Sequence, residues 1–449
     1  MRDLDRSARP APSRIRPYQF PDLEARRLDT GLEVMLVRKK DLPMVTALVV
    51  LDAGETRVPM DRAGLAALTA DVLEGGTERR SGLDWVRALE AEGATFGTGS
   101  GWDSTTAAVS CQADRLGEVL PLLAEMVREP AFPEDEVERF RQQRLGTIRQ
   151  RQMNPAALAS DAFSAFLFGD GSPFGRPLGG MEDTVGALGS FDCRGFARKR
   201  YGPRDGGLIL VGDVEPREAG SLAQECFGDW AAQNEEEPAR GLPARDHAGV
   251  LLVHRPGAVQ SEIRIGHAGI CRTDEQYFTI QVLNLILGGS FTSRLNLNLR
   301  ERNGYTYGIR SRFLARRSRG PFLVSTAVET GVTGSAVAEI HREISALASE
   351  GPSDAEVESA RSYLSGVFPL KLETTGQIAS QAADLIVYDL ERDYYHTYRD
   401  RIRAVSVEDV VRAAQTTLRP AELRTVIVGD ADAVEAQLED QSLGPVERG

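Results

Sequence analysis

The chain of 449 residues is too long for one hydrophobic core, since cores stop growing near roughly 250–300 residues, so two domains are expected. Hydrophobic residues at 41% and charged residues at 27% exclude a disordered or fibrous chain, and no apolar run approaches the ~18–20 residues that span a bilayer. A net charge of −13 disfavours nucleic acid as a partner and mildly favours basic peptides, with a solvated acidic surface as the plainer reading.

Residues 1–20 are rich in Arg and Pro without periodicity and read as a flexible tail. The N-terminus has no apolar core of a signal peptide, which makes the cytoplasm the expected location. The runs Leu32–Lys39 and Val45–Asp52 are strand-like, and the turn residues Asp41–Pro43 between them suggest a hairpin. Gly64–Thr77 reads GLAALTADVLEGGT. Leu65, Leu68 and Val72 give it a buried stripe, while Ala67, Ala70, Asp71 and Glu74 share a second helix face. Thr95–Ser100 and Ser104–Cys111 suggest another hairpin, with Gly97 and Gly99 weakening its first arm. Helical periodicity follows at Leu116–Val127, Glu134–Arg151 and Ala156–Phe168, and Gly206–Asp213 is an apolar strand.

The acidic, Pro- and Gly-bearing stretch 232–248 reads as a linker between a first domain, 21–231, and a second, 249–440. The second repeats the first. Asp52-Ala53-Gly54 is answered by His267-Ala268-Gly269, Glu136-Val137-Glu138 by Glu356-Val357-Glu358, and Val211-Gly212-Asp213 by Val428-Gly429-Asp430. Three matches in one order at nearly one offset indicate a tandem duplication of an α+β unit of about 200 residues, within the usual domain range. Ser353 with Glu356 and Ser406 with Asp409 mark helix starts in the second copy. Cys111, Cys193, Cys226 and Cys271 are far apart and read as reduced thiols, and all five histidines lie at or beyond residue 247. His267, at a strand end, reads as a satisfied core histidine.

The stretch Gly64–Thr77 resembles the active-site helix of the pitrilysin, insulinase and mitochondrial processing peptidase family of zinc metallopeptidases, the inverzincins with their H-x-x-E-H motif. On this chain the first His falls on Ala67, the Glu on Ala70 and the second His on Asp71. The distant third ligand falls on Gly146 or Thr147, and Gly97-Thr98 stands where relatives carry Asn-Ala on a peptide-binding strand edge. Leu287–Arg310 resembles the family's second-half signature, whose Arg and Tyr hold substrate carbonyls and steady the tetrahedral intermediate in a zinc-bearing domain. These fall on Arg300 and Tyr307. Taken without their setting, Arg300 reads equally as a partner for a nearby carboxylate and Tyr307 as a strand position.

The resemblance implies two α+β domains, each a mixed sheet faced by helices, forming half of a clamshell. It also implies a non-catalytic subunit of a heterodimer that has no cofactor of its own. Zinc is then expected in a homologous partner subunit, with a peptide as substrate and neither nucleic acid nor membrane as partner. Two other readings stay open: a structural or peptide-binding subunit with no part in hydrolysis, and a lone hydrolase with an unfamiliar metal site.

Overall fold

The computed structural model describes residues 17–231, 247–439 and 443–449. Its strands form two six-stranded mixed sheets. The first holds β1 (Leu23–Arg27), β2 (Glu33–Arg38), β3 (Met44–Leu51), β4 (Thr95–Ser100), β5 (Thr105–Gln112) and β6 (Gly207–Gly212), in the order β1-β2-β6-β3-β5-β4. The second holds β7 (Gly249–His254), β8 (Gln260–Ala268), β9 (Ile309–Phe313), β10 (Pro321–Glu329), β11 (Arg424–Gly429) and β12 (Val446–Arg448), in the order β12-β7-β11-β8-β10-β9.

The two orders coincide when β7 stands for β2, β11 for β6, β8 for β3, β10 for β5 and β9 for β4. The senses coincide as well: β2–β6 and β7–β11 are parallel, and the pairs from β6 to β4 and from β11 to β9 are antiparallel. Only the outermost strand differs, since β1 lies antiparallel on β2 while β12 runs parallel to β7. The repeated triplets sit at matching points, at the ends of β3 and β8 and of β6 and β11 and at the start of two helices, Glu134–Met153 and Asp354–Val367. The halves are duplicated domains.

The β4–β5 hairpin forms, with Thr95 opposite Ser110 and Ser100 opposite Thr105. The hairpin expected from Leu32–Lys39 and Val45–Asp52 does not, because β6 inserts between β2 and β3. All six residues of β6 are buried. A run that is apolar on both faces demands a central place in the sheet, and that demand outweighs the local turn.

The halves also trade helices. Helix Pro155–Phe168 starts on Asn154, whose Oδ1 accepts the amides of Ala156 (2.9 Å) and Ala157 (3.2 Å). It belongs to the first copy, yet Ala159, Phe163 and Phe166 pack on Val426 and Val428 of β11. Its counterpart Thr375–Val387, begun by a Thr374–Gln377 capping box, lays Ile378, Ala379 and Ala382 on Leu48, Val50, Ile209 and Val211 of the first sheet. The division at 21–231 and 249–440 thus describes sequence rather than packing, since each copy's sheet is covered by the other's helix. A polar seam joins them further: Arg317 pairs with Asp52, donates to the carbonyl of Val387 (2.7 Å) and gives its amide to Asp103 (3.1 Å).

Phe20, inside the expected tail, is buried and stacks on Tyr395 at 5.3 Å, and β12 lies beyond residue 440 and pairs with β7 of the second sheet. Residues 1–16 of that tail and 232–246 of the linker lie outside the described residues. Cys111, Cys193 and Cys226 are buried free thiols and Cys271 is a half-buried one. Among the described residues no helix is long and apolar enough to cross a membrane.

Candidate functional site

The motif helix, Leu65–Asp71, continues as a tighter turn, Val72–Gly75. Gly64 enters it at φ +90°, and a Cβ there would lie 2.7 Å from the carbonyl of Gly179, so only glycine makes this entry. Its amide donates at 2.7 Å to Glu55, a fully buried carboxyl that also meets Arg176 at 3.2 Å. Burial pushes Glu55 up to about 7 against the pull of the Gly64 amide and Arg176.

Leu65, Leu68 and Val72 face the core as their spacing predicts. Ala67 and Ala70 are buried, at 6% and 0% exposure. Asp71 is half-buried and ion-paired to Arg144 of the helix Glu134–Met153. Burial raises its pKa and Arg144 opposes the rise; burial also raises Glu74, and the charge of Asp71 adds to it. Gly146 and Thr147 are exposed, and the Thr147 hydroxyl donates back to the Gln143 carbonyl at 3.1 Å. The group that reaches the motif helix from this element is therefore Arg144.

Zinc does not fit this donor set. A catalytic ion takes three protein lone-pair donors and an open position. Here two positions are methyl groups, the third is a carboxylate already held by a guanidinium, and the guanidinium has no lone pair to give. In the second half, His254, Asp430 and Asp432 converge at the surface, but Asp432 is paired to Arg448 at 2.8 Å and Asp430 accepts the Gly257 amide at 2.9 Å. That grouping belongs to a different part of the fold.

The second-half signature is built on two π-helical turns, Leu285–Gly289 and Leu297–Arg302, a geometry that recurs at functional sites. Gly288 lets the first turn lie against β9, where a Cβ would come within 2.6 Å of the Ser311 hydroxyl. Buried Asn296 ties the frame together, its Nδ2 donating to the carbonyls of Ser290 (3.0 Å) and Ile309 (2.8 Å). Arg294 grips Glu356 with two hydrogen bonds of 2.6 and 2.8 Å, which hold that carboxyl down at about 2. The same Glu356 completes the capping box with Ser353.

In this frame the Arg300 guanidinium lies 4.2 Å over the ring of Phe291 and 3.5 Å from Glu301. Tyr307 precedes β9 in a loop and is 95% exposed. Both line one cavity of about 480 Å³, shared with Tyr363, Arg310, Arg312 and Lys371. Arg300 and Tyr307, singled out in the sequence, share this cavity with three further cations, and the π turns and the Asn296 tie carry no signal that the sequence motifs alone reveal. The alternation Arg310-Ser311-Arg312 was the available signal, because alternate residues of a strand share a face. His267 is the satisfied core histidine expected: its Nδ1 donates to the Ala268 carbonyl (2.9 Å), its Nε2 accepts the Arg419 amide (3.2 Å), and burial lowers it to about 4.

Two family profiles match the chain, "Insulinase (Peptidase family M16)" over residues 33–178 and "Peptidase M16 inactive domain" over residues 192–364. The chain belongs to peptidase family M16. This M16 protein is 27% identical over 351 residues to an uncharacterized zinc protease of Streptomyces coelicolor, covering 76% of each chain. It is also 27% identical over 359 residues to an uncharacterized zinc protease of Mycobacterium leprae, covering 79% of this chain and 80% of that one. Its fold matches a structure described as a peptidase M16 inactive domain from Pseudomonas fluorescens at a TM-score of 0.85, with 24% identity, over 91% of this chain and 98% of that one. A protease from Helicobacter pylori matches at 0.84, with 20% identity, over 92% and 100%. Those names belong to the relatives; in this M16 chain the motif positions hold Ala67, Ala70 and Asp71.

Proposed function

We propose that this M16 chain is the non-catalytic subunit of a heterodimeric zinc peptidase. It closes as half of a clamshell over a zinc-bearing homologue and offers Arg300 and Tyr307 to the peptide held there. The observation that carries this reading is a contrast: the motif helix is sealed by methyl groups and the Asp71–Arg144 pair, while Arg300 and Tyr307 open onto one cavity. A permanently charged guanidinium and a neutral phenol suit a developing oxyanion, which forms only as the carbonyl is attacked.

The test mixes the zinc-bearing homologue with this chain and measures peptide turnover at saturating subunit. Arg300→Ala and Tyr307→Phe are each expected to lower turnover by about 10²–10³, the usual cost of one oxyanion donor, with assembly and zinc content unchanged. The stack of Arg300 on Phe291 and its approach to Glu301 favour a second reading, a structural or peptide-binding subunit with no part in hydrolysis. Unchanged turnover in both variants would leave that reading in place.

A further inference from the structure

The cavity shared by Arg300 and Tyr307 is charged in one sense only. Arg310, Arg312 and Lys371 line it as well, so it holds four cations and no carboxylate. Three other large cavities carry both signs, with Glu129 beside Arg128, Asp274 beside Arg272 and Asp52 beside Arg57. Arg310, Arg312 and Lys371 are exposed and enter no ion pair among the described residues. Elsewhere in this chain of net charge −13, arginines are routinely paired, as Arg144, Arg294 and Arg317 are. Phe291, Tyr307 and Tyr363 add three exposed rings to the same wall. The backbone here is already used. Ile309, Ser311 and Phe313 are buried, the Ile309 carbonyl accepts from Asn296 Nδ2 at 2.8 Å, and its amide donates to Asn296 Oδ1 at 3.4 Å. The Gly288 turn packs on the Ser311 amide, which a Cβ at Gly288 would meet at 2.7 Å. Recognition at this wall therefore falls to side chains.

We infer that this cavity seats the acidic side chains of a peptide, with two or more carboxylates held by Arg310, Arg312 and Lys371 beside Arg300 and no strand added to β9. Each guanidinium offers forked donors that a carboxylate accepts in parallel, and Lys371 brings a compact charge on a flexible stem. Arg310 and Arg312 share one face of β9 about 7 Å apart, at two residues of strand rise, so one carboxylate does not serve both closely and a pair does. Concave walls of one sign focus the field on whatever enters. Exposed ion pairs are individually weak, so preference comes from several acting on one segment. The three rings favour a peptide over a bare inorganic anion, because apolar side chains beside the carboxylates can lie against them. The inference rests on the proposed function and deepens it by naming the class of peptide that would lie beside Arg300 and Tyr307. It also reverses the expectation drawn from net charge, since the local field at this wall is positive.

The test uses the full-length chain alone, so it does not depend on a partner or on turnover. A decapeptide of glutamate, valine and serine carrying an uncharged dye is compared by anisotropy with its glutamine counterpart. The acidic peptide is expected to bind about tenfold more tightly at low ionic strength, with affinity falling as salt is added. Arg310→Thr/Arg312→Thr should cut that affinity about fivefold with no change in Tm, and Lys371→Met should lower it further. Arg198→Glu/Arg217→Glu, at exposed positions of the first half, should leave it within about twofold, because a site acts locally and a screened net charge does not. N-methylation of alternate peptide amides should also leave it within about twofold, since no strand is added. Equal binding of the two peptides would overturn the inference, as would an equal loss in the first-half variant. So would loss of binding on N-methylation. Tripolyphosphate binding the same cations more tightly than the peptide does would overturn it in favour of a phosphate ligand. A lost acidic preference here leaves the Arg300 and Tyr307 turnover result intact, so the two claims fail separately.

Discussion

At the free edge of the first sheet, β4 shows solvent Thr95 and Gly97; at the matching edge of the second, β9 shows Arg310 and Arg312. Their inward positions are alike in kind. Phe96 meets Trp85 edge-on at 5.0 Å, and Phe313 meets Phe322 at 4.7 Å. The helix behind each edge differs in the same way. In the first half its exposed chemistry is tied down by Arg144, and in the second Arg300 and Tyr307 remain open to a cavity. The duplicated topology needs only its inward residues, so each half is free to change what it presents outward. On the proposed function, one copy serves as scaffold and the other offers the groups that would contact a peptide.

The comparison breaks most sharply at the exchanged helices, where the halves stop being separable. Phe163, 1% exposed, belongs to the first copy but packs on the second sheet. Phe163→Ala should cost about 3–5 kcal/mol, the range for a buried phenylalanine truncated to a methyl. Because Thr375–Val387 makes the reciprocal contact, denaturant unfolding followed by hydrogen exchange should show amides of both sheets losing protection together. Two transitions, with the first sheet's unmoved, would mean that the halves fold independently and that the exchange is only a contact.

Much of this architecture was legible in the sequence. The triplet repeats foretold the duplication because they fall where strand ends and helix starts recur, and Ser353 and Ser406 announced their helices by side-chain chemistry alone. Partner choice was not legible. Periodicity says which face of Pro155–Phe168 is apolar, but not whose sheet it covers, and the apolar run of β6 does not name its neighbours. Arg144 was hidden for a related reason. Spacing alone points to Gly146 or Thr147, whereas the residue on that helix long enough and charged enough to neutralise Asp71 is Arg144.

Acid sharpens the comparison, because the halves bury titratable groups of opposite sense. His267 in the second half is neutral when folded, lowered by burial from 6.5 to about 4. Its contribution is complete above pH 6.5 and is lost as pH falls through that window, about 3 kcal/mol at 1.36 kcal/mol per unit. Glu55 in the first half is raised from 4.5 to about 7, so its contribution is present below 4.5 and is lost as pH rises towards 7. Stability measured against pH should lose about 3 kcal/mol of its acid limb in His267→Gln, with Glu356 and the buried His341 still contributing to it, and its limb between 4.5 and 7 in Glu55→Gln. A histidine resonance for His267 that titrates near 6.5 would remove the basis of the first expectation.

The smallest effect separates the sealed face from the open one. The side chains of Asp71 and Arg144 are 36% and 16% exposed, so their pair is partly screened and worth about 1 kcal/mol or less. A double-mutant cycle with Asp71→Asn and Arg144→Gln isolates that coupling from the cost of leaving either partner alone. The matching cycle in the second half pairs Arg300→Ala with Glu301→Gln, whose side chains are 36% and 51% exposed at a looser 3.5 Å. There the coupling should fall within about 0.5 kcal/mol of zero, as for most exposed pairs of adjacent residues. A guanidinium spent on stabilising the fold would be a poor candidate for contact with substrate. If the Arg300 cycle gave the larger coupling, that residue would be part of the scaffold and the contrast between the two halves would lose its basis.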